Sequence, residues 1–122
     1  SSTEIVDFLR RVQAVVPYTH DMHAAYDTKL RQMRFATPLL QALTRQEVLE
    51  YRLQRVRRQA EALIERQDED PAAVAELEGL RERYQDALRE QDATKETVAA
   101  EAARFRREFG EEFTHRGQPV RR

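Results

Sequence analysis

His20 and His23 stand three residues apart, and Asp27 follows one turn later. On a helix this spacing puts two imidazoles and a carboxylate on one face, the donor set of an incomplete zinc site. A further strong ligand would have to come from another segment. The blander reading, polar residues on a helix surface, is preferred, and neither a metal nor any other cofactor is assigned. The carboxylates Glu76, Glu78, Glu82, Asp86 and Glu90 are spaced like a solvated helix face. Pairs such as Glu78–Arg81 and Asp86–Arg89 stabilise a helix by about 0.2–0.5 kcal/mol each. The sequence holds no GxSxG, no HExxH and no Gly-rich phosphate loop. It also has no cysteine, which excludes disulfides, thiolate metal sites and a cysteine nucleophile. No catalytic residue is assigned, and the chain is read as a non-enzyme.

The arginines are more informative. Arg31, Arg34, Arg45, Arg52, Arg55 and Arg66 share two adjacent heptad positions, and Arg57 and Arg58 widen the row. An antiparallel pairing of the two halves of the chain brings Arg104 and Arg107 alongside Arg34 and Arg31. The face formed by Arg31, Arg34, Arg45, Arg52, Arg55, Arg104 and Arg107 suits an anionic or phosphoinositide membrane surface, at about 1 kcal/mol per basic residue near the lipid. The competing reading is a solvated coiled-coil flank balanced by Glu47, Glu50, Glu61 and Glu65. Nucleic acid is not expected: no recognition motif is present, aromatics do not interleave with the basic residues, and the pI is about 6.3.

Composition names the elements that must position these residues. Of 122 residues, 40% are hydrophobic and 35% charged, with three Gly and four Pro. Gly and Pro are too scarce for an all-β chain, and the apolar residues are too regularly spaced for disorder. The fold class is all-α. Net charge is −1, but it is segregated. Residues 1–66 carry eleven basic and eight acidic residues, 67–103 four and eleven, and 104–122 six and three. No apolar run is long enough to span a bilayer, and no signal peptide is expected at the start. A cytoplasmic location follows as an expectation.

Ser2 or Thr3 can cap a first helix. Ile5, Leu9, Val12 and Val16 recur at 4-3-4 spacing, and Pro17 predicts a break. The stripe resumes at Tyr26, Leu30, Met33 and Leu40, with a second bend at Pro38. It continues, after a phase slip, through Leu49, Leu53, Val56, Ala60 and Leu63. Asp70 before Pro71 is a strong helix start. Val74, Leu77, Tyr84, Leu88, Val98, Ala102, Phe105 and Phe109 then fall on one heptad track, and Phe113 lies four residues beyond. The phenylalanines read as core or interface anchors. Gly110 should weaken the last turns. The expected helices cover about 4–16, 18–66 and 71–113 within one module over 1–113, followed by a flexible basic tail over 114–122.

A tight turn at 67–70 would fold these segments into an elongated antiparallel αα-hairpin of kinked helices. Its rungs are Ile64–Val74, Leu53–Tyr84, Leu49–Leu88, Leu40–Val98, Met33–Phe105, Leu30–Phe109 and Tyr26–Phe113. Two helices cannot cover both of their stripes. The hairpin is therefore expected to be completed as a four- or six-helix bundle by a homodimer or heterodimer.

Kinked long helices, a turn opening on Pro71 and a final helix ending in Arg104-Phe105-Arg106-Arg107-Glu108-Phe109-Gly110-Glu111-Glu112-Phe113 resemble the last two helices of a BAR domain of the sorting-nexin type. The stretch from Asp7-Phe8-Leu9 to Ala25-Tyr26-Asp27 is similar to the opening of that family's middle helix. The resemblance covers about residues 5–113. It implies a dimeric, non-catalytic module that senses or stabilises curved endosomal membranes as a peripheral protein. Two features depart from the family. The first BAR helix and the phosphoinositide-binding PX domain are missing, and the tip, Asp68-Glu69-Asp70, is acidic where the family's tips are basic. The alternative is a coiled-coil scaffold or adaptor that binds a protein partner without touching lipid.

Overall fold

A computed structural model describes residues 1–120, the side chains of residues 15–18 excepted. The fold is nearly all α. Three helices, α1 (Ser2–Phe35), α2 (Thr37–Arg66) and α3 (Ala72–Phe109), precede two short antiparallel strands, β1 (Thr114–His115) and β2 (Gln118–Pro119). The chain divides into two compact units, Ser1–Phe35 and the remainder from Ala36 onward.

The first unit is α1, 34 residues long. Ser1, rather than Ser2 or Thr3, caps it: its Oγ accepts the Glu4 amide at 3.4 Å, and the Glu4 carboxylate takes the terminal ammonium at 3.2 Å. This is the reciprocal arrangement of a capping box. The break expected at Pro17 does not occur. A proline inside a helix removes one ladder bond, at a cost of about 3 kcal/mol, and α1 continues past it. The break lies instead at Ala36. Its carbonyl accepts the Leu40 amide at 2.9 Å and opens α2. Pro38 then occupies the first turn of α2, where a missing amide costs nothing. The single arm expected over 18–66 is therefore divided, and the rungs from Tyr26 to Met33 belong to a different unit from α3.

In the second unit α2 packs on α3. Leu39 and Ala42, at the start of α2, cluster with Val98 and Ala102, late in α3. Leu49 and Leu53 meet Ala87, and Val56 and Leu63 meet Ala73 and Leu80. The two helices thus run in opposite directions. Along α2 the seam reads Leu39, Ala42, Gln46, Leu49, Leu53, Val56, Ala60, Leu63, an unbroken 3-4 alternation. The expected phase slip is absent because Leu39 is the buried residue and its neighbour Leu40 only half-buried.

On α3 the track Leu77, Tyr84, Gln91, Val98, Phe105 lies in or beside the seam. Its companion track is Ala73, Leu80, Ala87, Thr94 rather than Val74, Arg81, Leu88, Lys95. Val74 and Leu88 therefore stand on the flank, exposed, and so does Ile64. Small residues at these positions shorten the gap between helix axes, which the contacting side chains set. Thr94 is buried, and its hydroxyl donates to the Glu90 carbonyl at 2.8 Å. That bond meets the requirement of a polar group removed from water.

Both ends of α3 follow from local chemistry. Asp70 Oδ1 accepts the Ala72 amide at 3.0 Å, and Pro71 has helical torsions. Gly110 does not weaken the last turn; it terminates it. With φ +69° it sits in the left-handed region and donates its amide to the Arg106 carbonyl at 2.8 Å.

The chain then turns back. Arg116 and Gly117, both at positive φ, form the two-residue turn between β1 and β2. The Val120 amide donates to the Phe113 carbonyl at 2.7 Å, and both side chains pack on the Leu39 cluster. Residues 114–120 are folded, not a loose tail. The last part of that expected tail, Arg121 and Arg122, lies outside the described residues, as does the side chain of Val16.

Candidate interaction surface

The seam between α2 and α3 has two unlike flanks. On one flank the Arg45 Nε donates to Glu90 Oε1 at 2.7 Å, and Arg52 Nη1 lies 3.8 Å from Glu90 Oε2. A shallow groove beside them holds Arg52, Arg55 and Arg83 with Asp86 and Glu90. Nearer the turn, Arg66 and Arg83 share a second groove with Glu76. At the other end the Arg104 Nε donates to Glu101 at 2.8 Å. The Arg45–Glu90 pair is about two-fifths exposed on each side. Solvent-exposed pairs of this kind contribute about 0–1 kcal/mol, so they orient the flank more than they stabilise the fold.

The other flank is apolar. Val56, Ala60, Ile64, Val74, Leu77 and Leu80 line a groove of about 500 Å³, bounded by Arg57, Glu78, Arg81 and Tyr84. Ile64 and Val74 remain 53% and 56% exposed there. An Arg57 Nη donates to the Tyr84 hydroxyl at 3.0 Å. That bond and the charge of Tyr84, then those of Glu61 and Glu50, hold the guanidinium proton more firmly than usual. Further along, Glu50 accepts from the side-chain amides of Gln54 and Gln91, each at 3.3 Å. The groove thus leaves apolar side chains in contact with water inside a polar rim.

Helix α1 carries a similar surplus. Ile5, Phe8, Leu9, Val12, Met22, Tyr26 and Met33 are 42–63% exposed. Its length, about 50 Å at 1.5 Å per residue, makes this a long apolar stripe.

The structure distributes the predicted site residues unevenly. Arg45, Arg52, Arg55, Arg104 and Arg107 belong to the α2–α3 unit, while Arg31 and Arg34 are exposed on α1. Arg83, which no α2 spacing could reveal, joins Arg52 and Arg55 across the seam. Of the expected core, Leu49, Leu53, Val56, Leu63, Val98 and Phe105 are buried. Leu30, Leu40, Leu77, Tyr84, Phe109 and Phe113 are half-buried, and Met33, Val74 and Leu88 exposed. His20, His23 and Asp27 all lie exposed on α1. Among the described residues no three His, Asp or Glu side chains gather into a metal-holding group.

The Glu47 carboxylate ties the C-terminal turn to α2. Arg116 Nη1 lies 3.0 Å and His115 Nε2 3.7 Å from its Oε1. Gly117, next to Arg116, was the only sequence signal for this turn. Among the described residues no helix is long and apolar enough to cross a membrane. No protein-family model matches the chain, and no curated protein or solved structure is significantly similar to it.

Proposed function

We propose that this chain is a non-catalytic helical dimerisation module. In this reading a long antiparallel helical hairpin is completed as a bundle by a second chain, and its arginine flank rests on an anionic membrane. This is the role implied by its resemblance to BAR-type modules, and it would make the protein peripheral on an endosomal surface. The observation that carries the dimer is the apolar groove beside Ile64 and Val74. Such a surface has a free-energy incentive to be covered, about 25 cal/mol per Å² of apolar area. The membrane reading rests on Arg52, Arg55 and Arg83, three cations against the two carboxylates Asp86 and Glu90.

A second reading, an adaptor that binds protein and no lipid, is favoured by one contact. Arg45 and Arg52 both turn to Glu90, which lowers the charge left for a membrane. Light scattering and sedimentation with phosphatidylserine vesicles separate the two. The membrane reading expects a dimer that sediments at low salt, weakened by added salt and by Arg52→Glu with Arg55→Glu. A dimer that leaves the vesicles in the pellet without it would establish the adaptor reading instead.

A further inference from the structure

We infer that the apolar flank of the α2–α3 pair is covered by the same flank of a second copy, running in the opposite direction about a two-fold axis beside Gln54. This rests on the dimer proposed above and names the surface and direction that would build it.

The order of side chains along the flank carries the inference. Nearest the turn stands a carbon row, Ile64 and Val74. Next comes Arg57, beside Arg81 and its ion-pair partner Glu78, and then Glu50 and Glu47. Two copies laid parallel would set Arg57 against Arg57 and Glu50 against Glu50. Like charges so placed repel and select against that arrangement. Two copies laid antiparallel, with the axis midway between Arg57 and Glu50, set each Arg57 over the other copy's Glu50. The flank is thus self-complementary in one direction only, which is the requirement of an isologous interface.

Within one chain Arg81 already lies 3.6 Å from Glu78 and Glu47 is held by Arg116 and His115, whereas Arg57 and Glu50 have neutral hydrogen-bond partners. Arg57 donates to the Tyr84 hydroxyl, and Glu50 accepts from the amides of Gln54 and Gln91. A second copy would supply the opposite charge that these contacts lack. Size agrees as well. From Leu43 to Ile64 the flank is about 30 Å long, and two helices at about 10 Å each make it about 20 Å wide. That is on the order of 600 Å² per copy, near the roughly 800 Å² of a standard interface.

The chain contains no cysteine, so introduced cysteines report cleanly. Gln54→Cys is expected to cross-link between copies with a short bifunctional maleimide. Ile64→Cys, about 15 Å from the axis along each copy, is expected not to. Arg57→Glu should weaken the dimer at least about tenfold, and Glu50→Arg should do the same. An equimolar mixture of the two variants should restore a dimer containing one of each, because both contact sites are then complementary. Circular dichroism of each variant alone checks that it is folded, and rescue in the mixture cannot come from unfolded chains. A dimer that survives both charge reversals, or an Ile64→Cys cross-link without a Gln54→Cys one, overturns this surface and leaves the dimer reading standing. The stripe on α1 would then be the contact. A wild-type chain that is monomeric by light scattering overturns both.

Discussion

The Phe113 ring sits edge-on to the Phe105 ring, with centroids 5.2 Å apart and planes at 73°. Eight residues apart on a continuous helix, the two would lie two turns from each other, about 12 Å along the axis. They meet because α3 stops at Phe109 and the chain folds back. Phe109 completes the group at 4.8 Å from Phe105. Edge-to-face pairs contribute about 0.5–1.5 kcal/mol beyond the area they bury. Phe113→Ala should therefore cost about 2–3 kcal/mol in urea denaturation, below the 3–5 of a fully buried phenylalanine. It should also free the strand turn, so trypsin cleavage after Arg116 should become faster than any other new cut. An unchanged cleavage pattern would show that Phe113 does not hold the turn.

Two glycines should respond to the same substitution with opposite signs. Gly110 has φ +69° and Gly79 an ordinary helical φ, and a Cβ at either would meet nothing within 4 Å. The difference is then backbone conformation alone. Gly110→Ala should destabilise by about 1–2 kcal/mol, the cost of the left-handed region for an L-residue. Gly79→Ala should stabilise by about 0.5–1 kcal/mol through helix propensity. Urea midpoints measured side by side test the pair, and equal shifts would contradict the cap.

The neighbours Ala87 and Leu88 distinguish seam from flank. Ala87 is 2% exposed and packs on Leu49 and Leu53, whereas Leu88 is exposed. Ala87→Leu should overpack the seam and cost about 1–3 kcal/mol. Leu88→Ala should change the stability of the separated chain by no more than about 0.5–1 kcal/mol. A larger loss from Leu88→Ala than from Ala87→Leu would mean the helices meet in the other register.

Hydropathy shows why that register was hard to read. A stripe is found by its large apolar residues, and Val74 and Leu88 outweigh Ala73 and Ala87. Close helix packing prefers the smaller pair, so a stripe drawn through the heavier residues points one position away from the seam. On α2, where Leu49, Leu53, Val56 and Leu63 are large and buried, the sequence pattern was sufficient. The position of the helix break is ambiguous in the sequence for a related reason. Proline signals both interruption and initiation, and only the first-turn position of Pro38 marks a start. The C-terminal turn left a single trace, Gly117. Its anchors on α2, Glu47 and Leu39, are some seventy residues away in sequence. The basic flank was partly legible from spacing within α2, but Arg83 joins it only through the fold.

The arginine flank and the apolar groove lie on opposite sides of the same two helices. Closing the groove against a second copy therefore turns the two arginine flanks away from each other. Such a dimer has no single concave basic face with which to wrap one membrane. On the reading proposed above it would present two basic outer faces, back to back, and would bridge two anionic surfaces. Vesicle suspensions would report it directly, as turbidity that rises at equimolar protein and falls when excess protein coats each vesicle separately.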